Sequence, residues 1–349
     1  MNLPESTFSD IPEVVRSKFL RHYGAQVVWR ATGGFSQSRV FRCKAQGREY
    51  CLRSWPKQTY ALERLEKVRR AVGQTHAAGM ICLPNYFPDA EGEFLLDAGD
   101  SYWELCEWLP GKADYLVNRS PEKLGAALET LAALHQAWSG ESGQDFSPAW
   151  RRRITGLEEA AQHQFTQKLL LESHKCTERS AGSCELAMLG MKTANLTREH
   201  ASSLHSLLNF IPARANLHFV LRDIWSDHVL FSGEKVSGVI DFGAAGIDEP
   251  ATDVARLLGS MEPADADQWW HGLCEYRKHS PSLCPHRVLV LDQVSCLLSA
   301  IQWAKWLILE GRQFAADRKV ITDRWASFLS RLETFPWDEL RREAGPVVV

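Results

Sequence analysis

Hydrophobic and polar positions alternate along the first hundred residues and then change period. Gln26–Arg30 is a short apolar run, followed by Arg39–Ala45 and Glu49–Ser54 around Gln46-Gly47-Arg48. Runs of this length broken by a glycine turn predict strands, the last two joined as a hairpin. Over Tyr60–Ala78 the period lengthens, with Leu62, Leu65, Val68 and Val72 at helical spacing. Phe94–Leu96 and Tyr102–Cys106 predict a second hairpin around Ala98-Gly99-Asp100, and Trp108-Leu109-Pro110-Gly111 breaks the pattern.

Beyond that break the pattern is mainly helical. Ser120 caps a helix with Pro121 in its first turn, and Leu124, Leu128, Leu131 and Leu134 or His135 form its apolar face. Helices continue from Arg151 to Leu208, with a polar interruption around Glu178–Ser183. One isolated hairpin interrupts them: His228–Ser232 and Lys235–Ile240 flank Gly233-Glu234, and helices then resume to about Leu332. A strand-rich first third before a helical body predicts an α+β, two-lobed plan and not an alternating βαβ sheet. The expected lobes are residues 1–107 and 108–349.

The chain's 349 residues are more than one core usually serves, which agrees with two lobes. Hydrophobic residues make up 45% and charged residues 24%, a globular balance. The net charge is −3 with Lys and Arg scattered, which argues against a nucleic-acid partner. The most apolar stretch, Val288–Leu309, is interrupted by Asp292, Gln293, Gln302 and Lys305, so a buried helix is expected in place of a membrane span. The start, MNLPESTFSD, lacks the pattern of a secretory signal. Nine cysteines, several inside strand-like runs, suit a reducing compartment, and a cytoplasmic location is expected. His271, Cys274, Cys284 and His286 fit no closed zinc spacing. Oligomeric state is not legible.

The chemistry concentrates in Leu221-Arg222-Asp223-Ile224-Trp225-Ser226-Asp227-His228, followed by Val239-Ile240-Asp241-Phe242-Gly243. A polar loop leads into a strand, and the return strand delivers a second carboxylate. Phosphoryl transfer needs one carboxylate to orient an acceptor hydroxyl and take its proton. It needs a second to hold the metal ions that bridge the phosphates.

This block resembles the aminoglycoside phosphotransferase and choline kinase-like family, distant relatives of protein kinases. Its members carry a His-Gly-Asp loop, an Asn five positions after the Asp, and an Ile-Asp-Phe-Gly strand end. The resemblance implies a protein kinase-like fold and a small-molecule kinase that uses ATP with Mg²⁺. Asp223 stands at the catalytic Asp, His228 at the Asn position and Asp241 at the metal-binding Asp. In the first third, Gly33, Gly34 and Ser36 resemble the loop over the triphosphate. Cys51 and Arg53 share a strand face, where the pattern places a small residue over the adenine and a cation on the phosphates. Glu66 is favoured over Glu63 as the carboxylate orienting Arg53. Glu104–Leu109 resembles the hinge strand, with backbone amides near Glu107 and Leu109 holding the adenine edge. Asp253 and Arg256 match a segment that ties a helix start to the catalytic loop, and His135 reads as a core or loop-anchoring histidine.

The chain also departs from the pattern. Leu221 replaces the family His and Arg222 the Gly. His228 replaces Asn, and an imidazole nitrogen suits Mn²⁺ better than Mg²⁺. These departures keep an alternative open: a catalytically impaired, nucleotide-binding pseudokinase acting as sensor or scaffold. The acceptor is expected to be a small-molecule alcohol of unreadable identity. Trp269, Trp270, Trp303 and Trp306 can line its pocket or pack as core.

Overall fold

A computed structural model describes residues 10–30, 38–140, 143–177, 183–314 and 317–346. The described residues fall into two compact units. The first runs up to Ala113 and also takes in His228–Gly243 and Phe314. The second holds the rest.

The first unit opens on a short turn, α1 (Glu13–Val15), continued by one π-helical turn at Arg16–Arg21. Strands β1 (Gln26–Arg30), β2 (Arg39–Ala45) and β3 (Arg48–Pro56) follow, then helix α2 (Leu62–Ala77). Strands β4 (Tyr86–Phe87), β5 (Leu96–Ala98) and β6 (Ser101–Glu107) complete an antiparallel sheet in the order β1-β2-β3-β6-β4, with β5 also on β6. Alternation along the strands gives this sheet two different faces. Phe41, Leu52, Trp103 and Leu105 are fully buried on one, in a cluster with Ile11, Val15 and Phe19. Cys51, Arg53, Trp55, Glu104 and Cys106 lie on the other and line a cavity together with Leu65 and Val68 of α2. Leu62 lies outside that buried stripe and is exposed.

The isolated hairpin, β10 (Val229–Ser232) with β11 (Lys235–Val239), belongs to this first unit despite its late place in the chain. Its main chain explains why. Phe231 and Lys112 exchange hydrogen bonds of 2.9 and 3.0 Å, and the Val239 amide donates to the Cys82 carbonyl at 2.8 Å. Gly111 permits this approach: its φ is +100°, and a Cβ there would lie 2.7 Å from the Phe231 carbonyl oxygen.

The second unit is helical, as the lengthened period predicts. Helix α3 (Pro121–Ala137) begins at Ser120, whose hydroxyl accepts from the Lys123 amide at 3.1 Å. Helices α4 (Pro148–Ala160), α5 (His163–Thr177) and α6 (Ser183–Phe210) follow strand β7 (Gln144–Phe146), which pairs with β8 (Arg214–Asn216). Strand β9 (His218–Val220) pairs with β12 (Gly246–Asp248), and α7 (Ala251–Met261) starts directly beyond β12. Then come α8 (Ala266–His279), α9 (Pro285–Ala304), α10 (Arg318–Thr334) and α11 (Trp337–Glu343). The apolar stretch from Val288 is the buried α9 and a π-helical turn at Lys305–Leu309. Its Asp292 carboxylate accepts from Arg331 at 2.6 Å and from the Trp269 indole at 2.9 Å, which is how a charge is kept inside this core. Among the described residues, no helix is long and apolar enough to cross a membrane.

Candidate active site

Each unit carries part of the predicted chemistry. In the first unit the cavity has a volume of about 580 Å³ and is lined by Cys51, Arg53, Glu107, Leu109, His228 and Asp241, among others. Arg53 donates to Asp241 Oδ1 at 2.7 Å, and its guanidinium lies 3.8 Å from the Trp55 ring centroid. Burial opposes the Arg53 charge, but the Asp241 carboxylate beside it raises the guanidinium's pKa overall. The reverse holds for Asp241. Burial pushes its carboxyl up, and the Arg53 guanidinium beside it outweighs that and holds it below the usual carboxylate range. His228 Nε2 lies 3.7 Å from Asp241 Oδ2.

Backbone geometry fixes where Asp241 points. Its φ is +66°, a left-handed conformation that costs a non-glycine residue energy and persists only when neighbours enforce it. On one side the Ile240 amide donates to the His228 carbonyl at 3.0 Å. On the other, Arg64 donates to the Gly243 carbonyl at 2.7 Å, and a Cβ on Gly243 would sit 2.7 Å from a Trp55 ring atom. The Asp-Phe-Gly sequence thus needs its glycine because an indole occupies the space.

In the second unit Asp223 lies in the turn after β9. The Trp225 indole donates to Asp223 Oδ1 at 2.8 Å, and Arg256 approaches the same oxygen at 3.5 Å. Arg256 and Arg324 also lie over the Trp225 ring, at 4.8 and 4.7 Å from its centroid. The loop is held from beneath by Asp253, which is fully buried at the start of α7. Its carboxylate accepts from the Leu221 amide at 2.7 Å and the Arg222 amide at 2.6 Å. His135 Nε2 donates to the same carboxylate at 3.0 Å, and its Nδ1 lies 2.7 Å from the Tyr276 hydroxyl. Arg222 has a φ of +66°, so the loop keeps a glycine-like conformation with an arginine in place.

The model of the phosphotransferase enzyme family, APH, matches residues 28–286. The chain belongs to that family. Solved structures agree on the fold across nearly the whole length of this phosphotransferase. An aminoglycoside phosphotransferase from Alicyclobacillus acidocaldarius shares 15% identity at a TM-score of 0.60, covering 98% of this chain and 99% of its own. An amicoumacin kinase, in complex with AMP-PNP, Ca²⁺ and Ami, shares 11% at a TM-score of 0.60, covering 96% and 97%. A choline/ethanolamine kinase family protein from Mesorhizobium loti shares 16% at a TM-score of 0.58, covering 97% of each chain. No curated protein matches the phosphotransferase by sequence.

The predicted residues are placed as follows. Within the first unit, Arg53, His228 and Asp241 come together, and Cys51, Glu107 and Leu109 line the same cavity. Gly33, Gly34 and Ser36 lie outside the described residues. The carboxylate bound to Arg53 is Asp241, not Glu66, which is exposed on α2. That helix turns Leu65, Val68 and Arg69 toward the cavity instead. The Glu107 amide is also committed, donating to the Asn85 carbonyl at 2.8 Å, so it is not a donor for a nucleotide edge. Sequence reasoning missed Trp55 and Glu104, although strand alternation puts both on the face of Arg53. It also missed Trp225 as a partner of Asp223. Among the described residues, no group of three or more His, Cys, Asp or Glu forms a metal cluster, the zinc-like spacings included.

Proposed function

We propose that this phosphotransferase moves the γ-phosphoryl group of ATP to the hydroxyl of a small-molecule alcohol. The observation that carries the proposal is the Arg53–Asp241 pair in the cavity of the first unit, two residues that the sequence resemblance matches to a phosphate cation and a metal carboxylate. Arg53 Nε is buried without a hydrogen-bond partner among the described residues, a donor suited to a phosphate oxygen. The adenine edge would meet the Glu107 carbonyl and the Leu109 amide over Cys51. Nucleotide binding falls to residues 1–107 with Leu109 and the late hairpin, and acceptor binding to the remainder of 108–349.

The donor set fits a divalent cation. Asp241 offers carboxylate oxygen and His228 a nitrogen on the Oδ2 side, a pair that accepts Mn²⁺ as well as Mg²⁺. When bound, the cation supplies charge neutralisation on the phosphates. The protein's own part is positioning. Asp223 takes the acceptor proton, its orientation fixed by Trp225 and Arg256 through Oδ1. Arg53 holds the phosphate oxygens. No covalent enzyme intermediate is required.

The experiment is ADP release with Mg²⁺ or Mn²⁺, with and without a panel of alcohols that includes amino sugars and choline. Acceptor-dependent release supports the proposal. Nucleotide binding without release from any acceptor, unchanged by Asp223→Asn, would assign the impaired, scaffold-like role instead.

A further inference from the structure

Arg53 needs to be held rigidly if it is to meet a phosphate, and neither candidate carboxylate of α2 does so, because Glu63 and Glu66 are both exposed. What supports the guanidinium is an indole. Arg53 and Trp55 lie two positions apart on β3, hence on one face, and the cation stacks 3.8 Å from the ring centroid. Trp55 is itself fixed: 3% exposed, it donates its Nε1–H to Glu104 Oε1 at 2.8 Å. Glu104, 5% exposed, is the β6 residue directly opposite Arg53 in the strand register. The other end of the indole abuts Gly243, which sets the turn carrying Asp241. One ring therefore seats both members of the Arg53–Asp241 pair, and one buried carboxylate sets the angle of that ring.

We propose that Glu104, acting through Trp55, is the positioning carboxylate for Arg53, moved from the helix that follows β3 to the neighbouring strand. The inference rests on the nucleotide-site reading above and adds to it the residues that set nucleotide affinity. Loss of the Glu104 oxygen leaves the indole N–H buried without an acceptor, and the ring turns to seek one. The guanidinium then loses its stacked geometry.

The test is calorimetric binding of magnesium AMP-PNP to wild type, Trp55→Phe, Glu104→Ala, Glu104→Gln and the Trp55→Phe/Glu104→Ala double variant. Trp55→Phe and Glu104→Ala are expected to weaken binding about tenfold, and the double variant no more than about twofold beyond either, since both break one link. Glu104→Gln keeps an oxygen for the indole and is expected to recover affinity to within about threefold of wild type. Thermal midpoints of the same samples separate a merely structural role, which lowers the midpoint but leaves the affinity of the folded fraction unchanged. Wild-type affinity in folded Trp55→Phe, or losses that multiply in the double variant, overturn the positioning role alone. If Glu104→Ala fails to fold, Trp55→Phe and Glu104→Gln still decide. Absence of nucleotide binding in the wild type overturns the functional reading itself and the positioning role with it.

Discussion

Replacing Asp253 by Asn tests how the loop carrying Asp223 is held. The carboxylate is fully buried and accepts three hydrogen bonds, from the Leu221 and Arg222 amides and from His135. Asparagine offers one oxygen and one NH₂. The flip that loses fewest bonds keeps the oxygen at the Oδ2 position and turns the NH₂ toward the Arg222 N–H, so that charge-assisted bond is lost and a buried donor is left without an acceptor. A charged hydrogen bond is worth about 1.5–3 kcal/mol and an unsatisfied buried donor costs about 1–3 kcal/mol. These overlap, so about 2–4 kcal/mol of stability should be lost. Arg222 then lacks the bond that offsets its left-handed backbone, and Asp223 follows it in the chain. Turnover should therefore fall at least tenfold even at temperatures where the variant is folded. Urea unfolding gives the first quantity and ADP release the second. A stability change below about 0.5 kcal/mol with unaltered turnover would refute the reasoning.

Three further outcomes are expected. His228→Asn replaces the imidazole nitrogen by an amide oxygen, so turnover with Mg²⁺ relative to Mn²⁺ should rise severalfold; an unchanged ratio would remove His228 from the metal. Gly111→Ala forces a Cβ against the Phe231 carbonyl at a φ of +100° and should cost about 2 kcal/mol or more by urea unfolding, an effect absent if the hairpin packs otherwise. Burial pushes the Asp292 carboxyl up to about 6, although Arg331 and Trp269 pull it down. The folded state therefore binds the proton more tightly than the unfolded chain, and this stabilisation is lost as pH rises from about 4 to about 6, by about 3 kcal/mol at most. Unfolding midpoints across that window should slope less in Asp292→Asn; parallel slopes would contradict the assignment.

The sequence made much of the molecule legible where local rules decide. Strands β1 and β2 begin and end at the residues that alternation marks, and Ser120 caps its helix. The three-residue pairs β7–β8 and β9–β12 were invisible, because segments that short are defined by partners distant in the chain. Trp269 is fully buried and Trp303 nearly so, core residues by virtue of their area. In the site, Asp241 and Arg53 were readable because a motif carries them. Glu104 was not, since a glutamate in the run Tyr102–Cys106 reads as an ordinary polar alternation. Only the register that sets it opposite Arg53 reveals its place. The exposure of Glu66 was not legible either, since a carboxylate on a helix after β3 does not itself fix how α2 is rotated.

The most direct test of phosphotransfer compares Asp223→Asn and Asp241→Asn, measuring magnesium AMP-PNP binding and transfer of labelled γ-phosphate to an accepted alcohol. Asp223→Asn is expected to bind nucleotide as the wild type does and to lose transfer by about 10²–10⁴-fold, while Asp241→Asn loses both metal-dependent binding and transfer. Transfer at the wild-type rate in Asp223→Asn, or metal-dependent binding undiminished in Asp241→Asn, would contradict the account.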